Sequence, residues 1–272
     1  MSVRTSLLIL GLALPMAAQA QSQGGPPLIT GQIGALVLNL PAYPGSDERW
    51  TIPVPFVDLR FARRFYVGDG LGGLSAGAGV YLLEAGGFSW SADLALTSDR
   101  PEDRANALAG LGDRGFGVFA GSTLTYRTGP LEAFATAAVG LEDRMGSIGV
   151  VGLSVGQRVG ERWFVGGGGA AAFGDCANLR WDFGVSDGQA ARRRELIEND
   201  APGLRPSDGV PYAPRCGLRE LRATASLGYA VTPRLSLFGT GAGVRLERGA
   251  AESPLTRERN TWEAGIGLAL RF

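Results

Sequence analysis

The residues best placed to do chemistry in this sequence are its only two cysteines, Cys176 and Cys216, and the chemistry they suggest is a cross-link. They bracket a long segment rich in Pro, Gly and charge. In an oxidising compartment two exposed thiols pair, so a Cys176–Cys216 disulfide is expected; two free thiols or a metal site are the alternatives. The sequence contains no histidine, which removes the usual general base of acyl transfer and peptide cleavage. Asp99, Glu102 and Asp103 crowd one segment, but Arg100 and Arg104 are interleaved with them, so the pattern reads as an ion-paired surface loop. The run Gly166 to Gly169 is followed by no Lys-Ser/Thr pair and lies in an alternating stretch, so it speaks for close packing or curvature and against a phosphate loop. No catalytic residue, metal ligand or cofactor is expected.

The elements that must carry these groups are strands. The closing stretch TWEAGIGLALRF places Trp262, Ala264, Ile266, Leu268, Leu270 and Phe272 on one face and Glu263, Gly265, Gly267, Ala269 and Arg271 on the other. A period of two is the mark of a β-strand. The same alternation recurs at 88–97, 116–127, 131–141 and 220–229, in segments of about ten residues, as in membrane barrels. Strands are expected near 29–40, 51–60, 62–68, 72–83, 87–97, 115–128, 130–142, 147–159, 162–173, 217–230, 233–246 and 260–272. Their connections alternate between short turns, near Phe61, 84–86, 128–130, 160–161 and 231–233, and longer polar loops, at 41–50, 98–114, 174–216 and 247–260. That asymmetry belongs to a barrel with short periplasmic turns and long external loops. Phe88, Tyr126, Trp163, Tyr229 and Phe272 fall at one set of strand ends, and Tyr66, Phe116, Phe173 and Trp262 at the other, giving two aromatic girdles.

At the N-terminus an apolar run, 7–18, ends in Ala18-Gln19-Ala20, the small-x-small pattern of a cleaved signal. Residues 1–20 are thus expected to be a signal peptide, and 21–272 one transmembrane, antiparallel, up-and-down β-barrel of about 12 strands with a long external loop at 174–217. Basic and acidic residues balance at 26 each, which argues against nucleic acid as a partner. The expected site is the cell outer membrane of a Gram-negative bacterium, among outer-membrane lipids and lipopolysaccharide.

Several loops resemble the MipA/OmpV family of outer-membrane proteins: PAYPGSDE (41–48), GLGDR (110–114), WDFGVSDGQAA (181–191), ESPLTRERN (252–260) and the closing strand. They are spread along nearly the whole chain after the signal. The resemblance implies a barrel fold, an outer-membrane location and a scaffold that joins a lytic transglycosylase to a penicillin-binding protein; other members are described as porin-like or adhesive. The sequence departs from the family in its largest loop, where Arg192-Arg193-Arg194 occurs. Ser186 to Gln189 fits a capping box, so a short helix is expected there, with the arginines on its solvated face or binding lipopolysaccharide phosphates.

Three functions remain open at this stage. A non-enzymatic scaffold for murein-synthesis or murein-remodelling enzymes is preferred. A narrow porin-like channel is the first alternative, drawing on an inward face that carries Asp93, Arg127, Glu132, Glu220, Arg222, Glu263 and Arg271. An adhesin or receptor surface built by the external loops is the second. Trp262, Leu268, Leu270 and Phe272 form the terminal pattern that resembles the signal read by the barrel-assembly machinery.

Overall fold

The computed structural model describes residues 28–71 and 75–272. The expected signal peptide lies outside the described residues. Twelve strands close into one antiparallel barrel, β1 (Ile29–Pro41), β2 (Arg49–Phe61), β3 (Phe65–Gly70), β4 (Ser75–Ala85), β5 (Phe88–Thr97), β6 (Gly117–Thr128), β7 (Leu131–Gly140), β8 (Ser147–Val159), β9 (Trp163–Gly174), β10 (Gly217–Ala230), β11 (Leu235–Leu246) and β12 (Asn260–Arg271). Each strand pairs with its sequence neighbours, and β1 pairs with β12 to seal the ring, Ile33 opposite Leu270 and Ala35 opposite Leu268. Every strand thus has a partner on both sides, as crossing a bilayer with strands requires, with the shortest seam between β2 and β3, where only 59–61 pair with 65–67.

Side chains alternate as the period-two pattern requires. Leu268 and Leu270 are 50% and 47% exposed on the outer surface, while Ala269 between them is 2% exposed and faces in. The same out-and-in rhythm runs along β5, where Leu94 and Leu96 are exposed and Asp93 and Ala95 buried. Leu153 and Val155 on β8 and Leu221 and Leu227 on β10 extend the apolar outer band. Such a band is solvated by lipid, so its exposed leucines carry no penalty.

Some expected boundaries move. The first turn occupies residues 62–64 rather than the position of Phe61, which ends β2. Strand β3 consequently begins at Phe65, and β4 runs 75–85. Tyr66, expected in the external girdle, lies at the turn end of β3 and faces the lumen, because β3 is only six residues long.

The long connections, those expected to be external, fold as a cap across one mouth of the barrel. Residues 175–216 hold two helices, α1 (Cys176–Phe183) and α2 (Asp187–Glu198), and 247–259 hold a third short one, α3 (Arg248–Ala251). Asp175 caps α1 by accepting from the Asn178 amide, and Ser186 with Gln189 forms the expected capping box on α2. An apolar cluster of Tyr43, Leu108, Leu111, Val185, Ala190 and Leu255 knits four connections together. Leu179 and Phe183 of α1 pack on Leu246 of β11 and Ala250 of α3. Met145, fully buried, drops between Phe119, Ile148 and Val150 at the outer end of the lumen. The disulfide Cys176–Cys216 joins the two bases of the longest connection, with the Cα atoms 4.4 Å apart.

Candidate functional site: the lumen and its external cap

The lumen has two unlike walls. Along β1, β2, β11 and β12 the inward residues Leu36, Leu38, Val54, Phe56, Phe238 and Ala269 form a packed apolar wall, with the rings of Phe56 and Phe238 5.3 Å apart. Along β2 to β7 a ladder of polar groups climbs from the short turns. Glu84 pairs with Arg60, whose guanidinium lies 4.4 Å over the Tyr81 ring. Tyr81 stacks on Tyr66 at 5.0 Å, and the Tyr66 hydroxyl donates to Asp93. Thr123 also donates to Asp93, at 2.6 Å, and shares a hydrogen bond with Thr136 at 2.9 Å. Tyr66 reaches β5 by lying across Gly79 of β4, where an added Cβ would stand 2.6 Å from the phenol ring. The buried Asp93 carboxylate is therefore solvated by hydroxyls.

On β10 and β12 the outer half of the lumen carries a chain of ion pairs. Arg222 bonds Glu263 at 2.6 Å and lies 3.5 Å from Glu220. Glu220 is 3.6 Å from Arg219, and Arg219 bonds Asp182 of α1 at 2.7 Å. Arg114 pairs with the other Asp182 oxygen, and Arg100 donates to the Asp182 carbonyl at 3.0 Å. Burial alone would raise the Asp182 pKa; the Arg219 and Arg114 guanidiniums override it and hold the carboxyl at about 2. Burial, with Arg114 alongside, lowers Arg100 to about 10. The chain fastens a cap helix to the barrel wall.

A second hub fastens the cap to itself. Asp208 has no exposed side-chain surface and takes a two-point contact from Arg257, at 2.9 and 2.5 Å. The Arg205 amide donates to the same carboxylate at 2.8 Å. Arg193, equally buried, donates to the backbone carbonyls of Asp208, Ala107 and Ala109 at 2.8, 3.0 and 3.0 Å. The solvated-face expectation for the arginine run is thus corrected at its centre. Arg192 is on the surface, 3.6 Å from Glu102, but Arg193 is a pin and Arg194 donates to the Gly209 carbonyl. The reason is helical phase, since Ala190, Arg193 and Ile197 share the face that α2 turns inward. That spacing was the available signal; nothing in the sequence marked Asp208, Asp182 or Arg257 as partners.

The acidic cluster is also corrected. Arg104 pairs with Asp99 at 2.6 Å, but Arg100 and Arg104 are 7% and 8% exposed, and Glu102 accepts the amides of Gly110 and Gly112 at 2.6 and 2.8 Å. It is an interior brace of the cap. Tyr43, in the first external connection, donates to the Leu255 carbonyl at 2.9 Å, and its burial pushes the phenol up to about 12.

Asp93, Arg127, Glu132, Glu220, Arg222, Glu263 and Arg271 all project to the inner side of the wall; six of them fall into three separate groups, and Arg271 interacts with Asp58. Glu220, Arg222 and Glu263 meet in the ion chain, Asp93 belongs to the hydroxyl ladder, and Arg127 pairs with Glu132 near the short turns. Trp262, Leu268, Leu270 and Phe272 are exposed on the outer face, with the Arg49 guanidinium 3.5 Å over Trp262. Among the described residues no cluster of three or more His, Cys, Asp or Glu side chains is arranged to hold a metal ion.

Several solved outer-membrane proteins are similar to this chain. NanC porin is 7% identical with a TM-score of 0.49, covering 89% of this chain and all of that one. An outer-membrane channel from Pseudomonas putida F1 is 10% identical, TM-score 0.44, over 94% and 100% of the two chains. KdgM porin, solved with disordered oligogalacturonate, is 9% identical, TM-score 0.44, over 89% and 99%. No curated protein matches the sequence. The family described as MltA-interacting protein MipA matches residues 33–272. With a closed twelve-stranded barrel, an apolar outer band and that match over nearly all its length, the chain is an outer-membrane β-barrel protein of Gram-negative type and belongs to the MltA-interacting protein MipA family.

Proposed function

We propose that the protein is a non-enzymatic scaffold in the outer membrane that engages a murein-remodelling enzyme from the periplasmic face. The observation that carries this reading is the cap. Its buried hub at Asp208, its ion chain to β10 and its disulfide fold the external connections into one packed body across the outer mouth. The opposite rim keeps charged side chains exposed, Arg127 and Arg158 among them. In a barrel of this kind the short-turn rim faces the periplasm, so these groups are the ones a periplasmic enzyme meets. The family description names interaction with MltA, so a lytic transglycosylase is the first partner to seek, with a penicillin-binding protein as the second. The absence of histidine from the chain supports a role without acyl-transfer or hydrolytic chemistry. In-cell crosslinking from periplasmic-turn positions, followed by mass spectrometry, should recover a murein enzyme; recovery of assembly factors alone would overturn the scaffold role.

A porin-like channel is the second reading, favoured by the polar ladder from Arg60 to Thr136 along one lumen wall. It requires the cap to move. Single-channel recordings of the purified protein should show no steady conductance with the cap intact; a stable open level in the native protein would favour the channel.

A further inference from the structure

Charge is distributed unevenly between the two ends of the barrel. The short-turn end, meaning the five turns and the last few strand residues beside them, holds eight arginines against four side-chain carboxylates, Asp58, Glu84, Glu132 and Glu161. The remaining described residues hold seventeen arginines against twenty-two carboxylates. Two of the eight arginines are spent within the rim, Arg60 on Glu84 and Arg127 on Glu132. What is left is a basic ring. Arg63 and Arg64 stand exposed on the first turn, Arg162 on the fourth and Arg234 on the fifth, with Arg158 on the lumen side, while Arg271 interacts with Asp58.

Several of these groups are held in place. Arg60 donates to the Arg63 carbonyl at 3.2 and 3.0 Å, fixing a turn in which Ala62 and Arg63 both have positive φ. Arg162 donates to the Tyr229 hydroxyl at 3.2 Å, and the Arg158 guanidinium rests 4.7 Å over the Phe164 ring. Ordered guanidinium forks lose less freedom on binding a carboxylate than free ones.

We propose that this ring binds the carboxylate-bearing stem peptides of murein, anchoring the barrel to the polymer beneath the outer membrane. The turns that carry the ring are two to four residues long, so the rim is low. In strand order the turn with Arg63 and Arg64 lies halfway round the ring from the one with Arg162, so the basic groups are spread around the mouth rather than gathered at one point. Val231 is the single exposed large aliphatic side chain on the five turns themselves, and the exposed Phe65, Phe88, Leu131 and Trp163 beside them lie on the outward, lipid-facing side, so the tips of the turns offer no apolar centre of the kind that holds a globular protein partner. An extended polymer with repeated carboxylates meets such a ring at several points at once, and weak contacts then add by effective concentration. This anchoring goes beyond the enzyme scaffold and does not depend on it.

The test is co-sedimentation of the full-length mature protein, in nanodiscs of zwitterionic phosphatidylcholine, with purified sacculi. Binding should be present at low ionic strength and fall several-fold as salt shortens the Debye length. It should fall likewise when the sacculus carboxylates are blocked by amidation. Replacing Arg63, Arg64, Arg162 and Arg234 together by Gln should abolish it, whereas the same four changed to Lys should retain part of it. Heat-modifiable gel mobility reports whether each variant is a folded barrel, and the folded Lys variant keeps the comparison valid if the Gln variant misfolds. Binding that persists on blocked sacculi, survives the Gln substitutions or is missing from the native protein would overturn the proposal. A murein enzyme that crosslinks to the native protein while that protein fails to sediment with sacculi would leave the scaffold reading standing while this one fell.

Discussion

Arg193 and Asp208 bury one another completely: the guanidinium Nε donates to the Asp208 backbone carbonyl at 2.8 Å, and Nη2 lies 3.5 Å from its carboxylate. Two opposite charges with no exposed side-chain surface are a costly arrangement unless every lone pair is used. Arg257 and the Arg205 amide donate to the Asp208 carboxylate and three carbonyls accept from Arg193, whose Nη2 faces the carboxylate as a charge pair without a hydrogen bond. Removing one partner leaves the other charge buried, which costs about 3–5 kcal/mol. Asp208→Ala and Arg193→Ala should each make residues 184–210 cleavable by added protease while the barrel retains its strand content and heat-modifiable mobility. Arg193→Lys should not rescue, because one ammonium cannot span three carbonyls. A protease-resistant Asp208→Ala cap would show that the hub is dispensable.

The disulfide restrains the same segment. The segment is rich in Pro, Gly and charge, yet its Val185, Ala190 and Leu179 are buried and the hub braces them. The double change Cys176→Ser, Cys216→Ser should therefore insert normally and leave the cap mostly ordered, losing at most roughly 4 kcal/mol of chain-entropy restraint. Combined with Asp208→Ala it should release the loop. Hydrogen exchange across 176–216 would read both steps; full loss of protection in the double serine variant alone would assign the ordering to the disulfide.

Asp182 makes the tie between cap and wall dependent on acid. Its carboxyl is held at about 2, below an ordinary value near 3.8, because Arg219 and Arg114 favour the charged form over the opposing effect of burial. The stabilisation is fully present above pH 4 and is lost as pH falls through about 2, amounting to roughly 2 kcal/mol at 1.36 kcal/mol per pKa unit. Cap protection measured between pH 5 and pH 2 should decline in the native protein, and Asp182→Asn should flatten that decline. A profile unchanged by Asp182→Asn would place the acid-sensitive group elsewhere.

Alternate residues of β8 separate lipid from lumen. Leu153 is 56% exposed on the outer face and Ser154 faces in. Leu153→Arg should lower folding yield into lipid bilayers, at a cost of about 2–4 kcal/mol near the midplane, while Ser154→Arg should be far milder. Equal yields would mean a register displaced by one residue. The neighbouring pair on β12 is less suitable, because Ala269 points inward but is packed beside Phe56 and Phe238, where an arginine has no room.

The strands, their closure and their two faces were legible in the sequence, because a period of two acts through the nearest neighbours of each residue and the bilayer rewards it uniformly along every strand. The Leu268 and Ala269 faces, the alternation of short turns with long loops, the α2 capping box and the Cys176–Cys216 link all follow from local spacing or from simple pairing. The cap was decided only in three dimensions. Arg193 and Asp208 share the longest connection but lie 15 residues apart, Arg257 comes from another, and Asp182 of that longest connection meets Arg219 from the wall and Arg114 from a third, so no short window contains any of these partnerships. A charged residue read alone defaults to solvent. Only the folded chain, by bringing carbonyls and an opposite charge to Arg193, makes its burial affordable and turns a loop that looked solvated into a lid with a core.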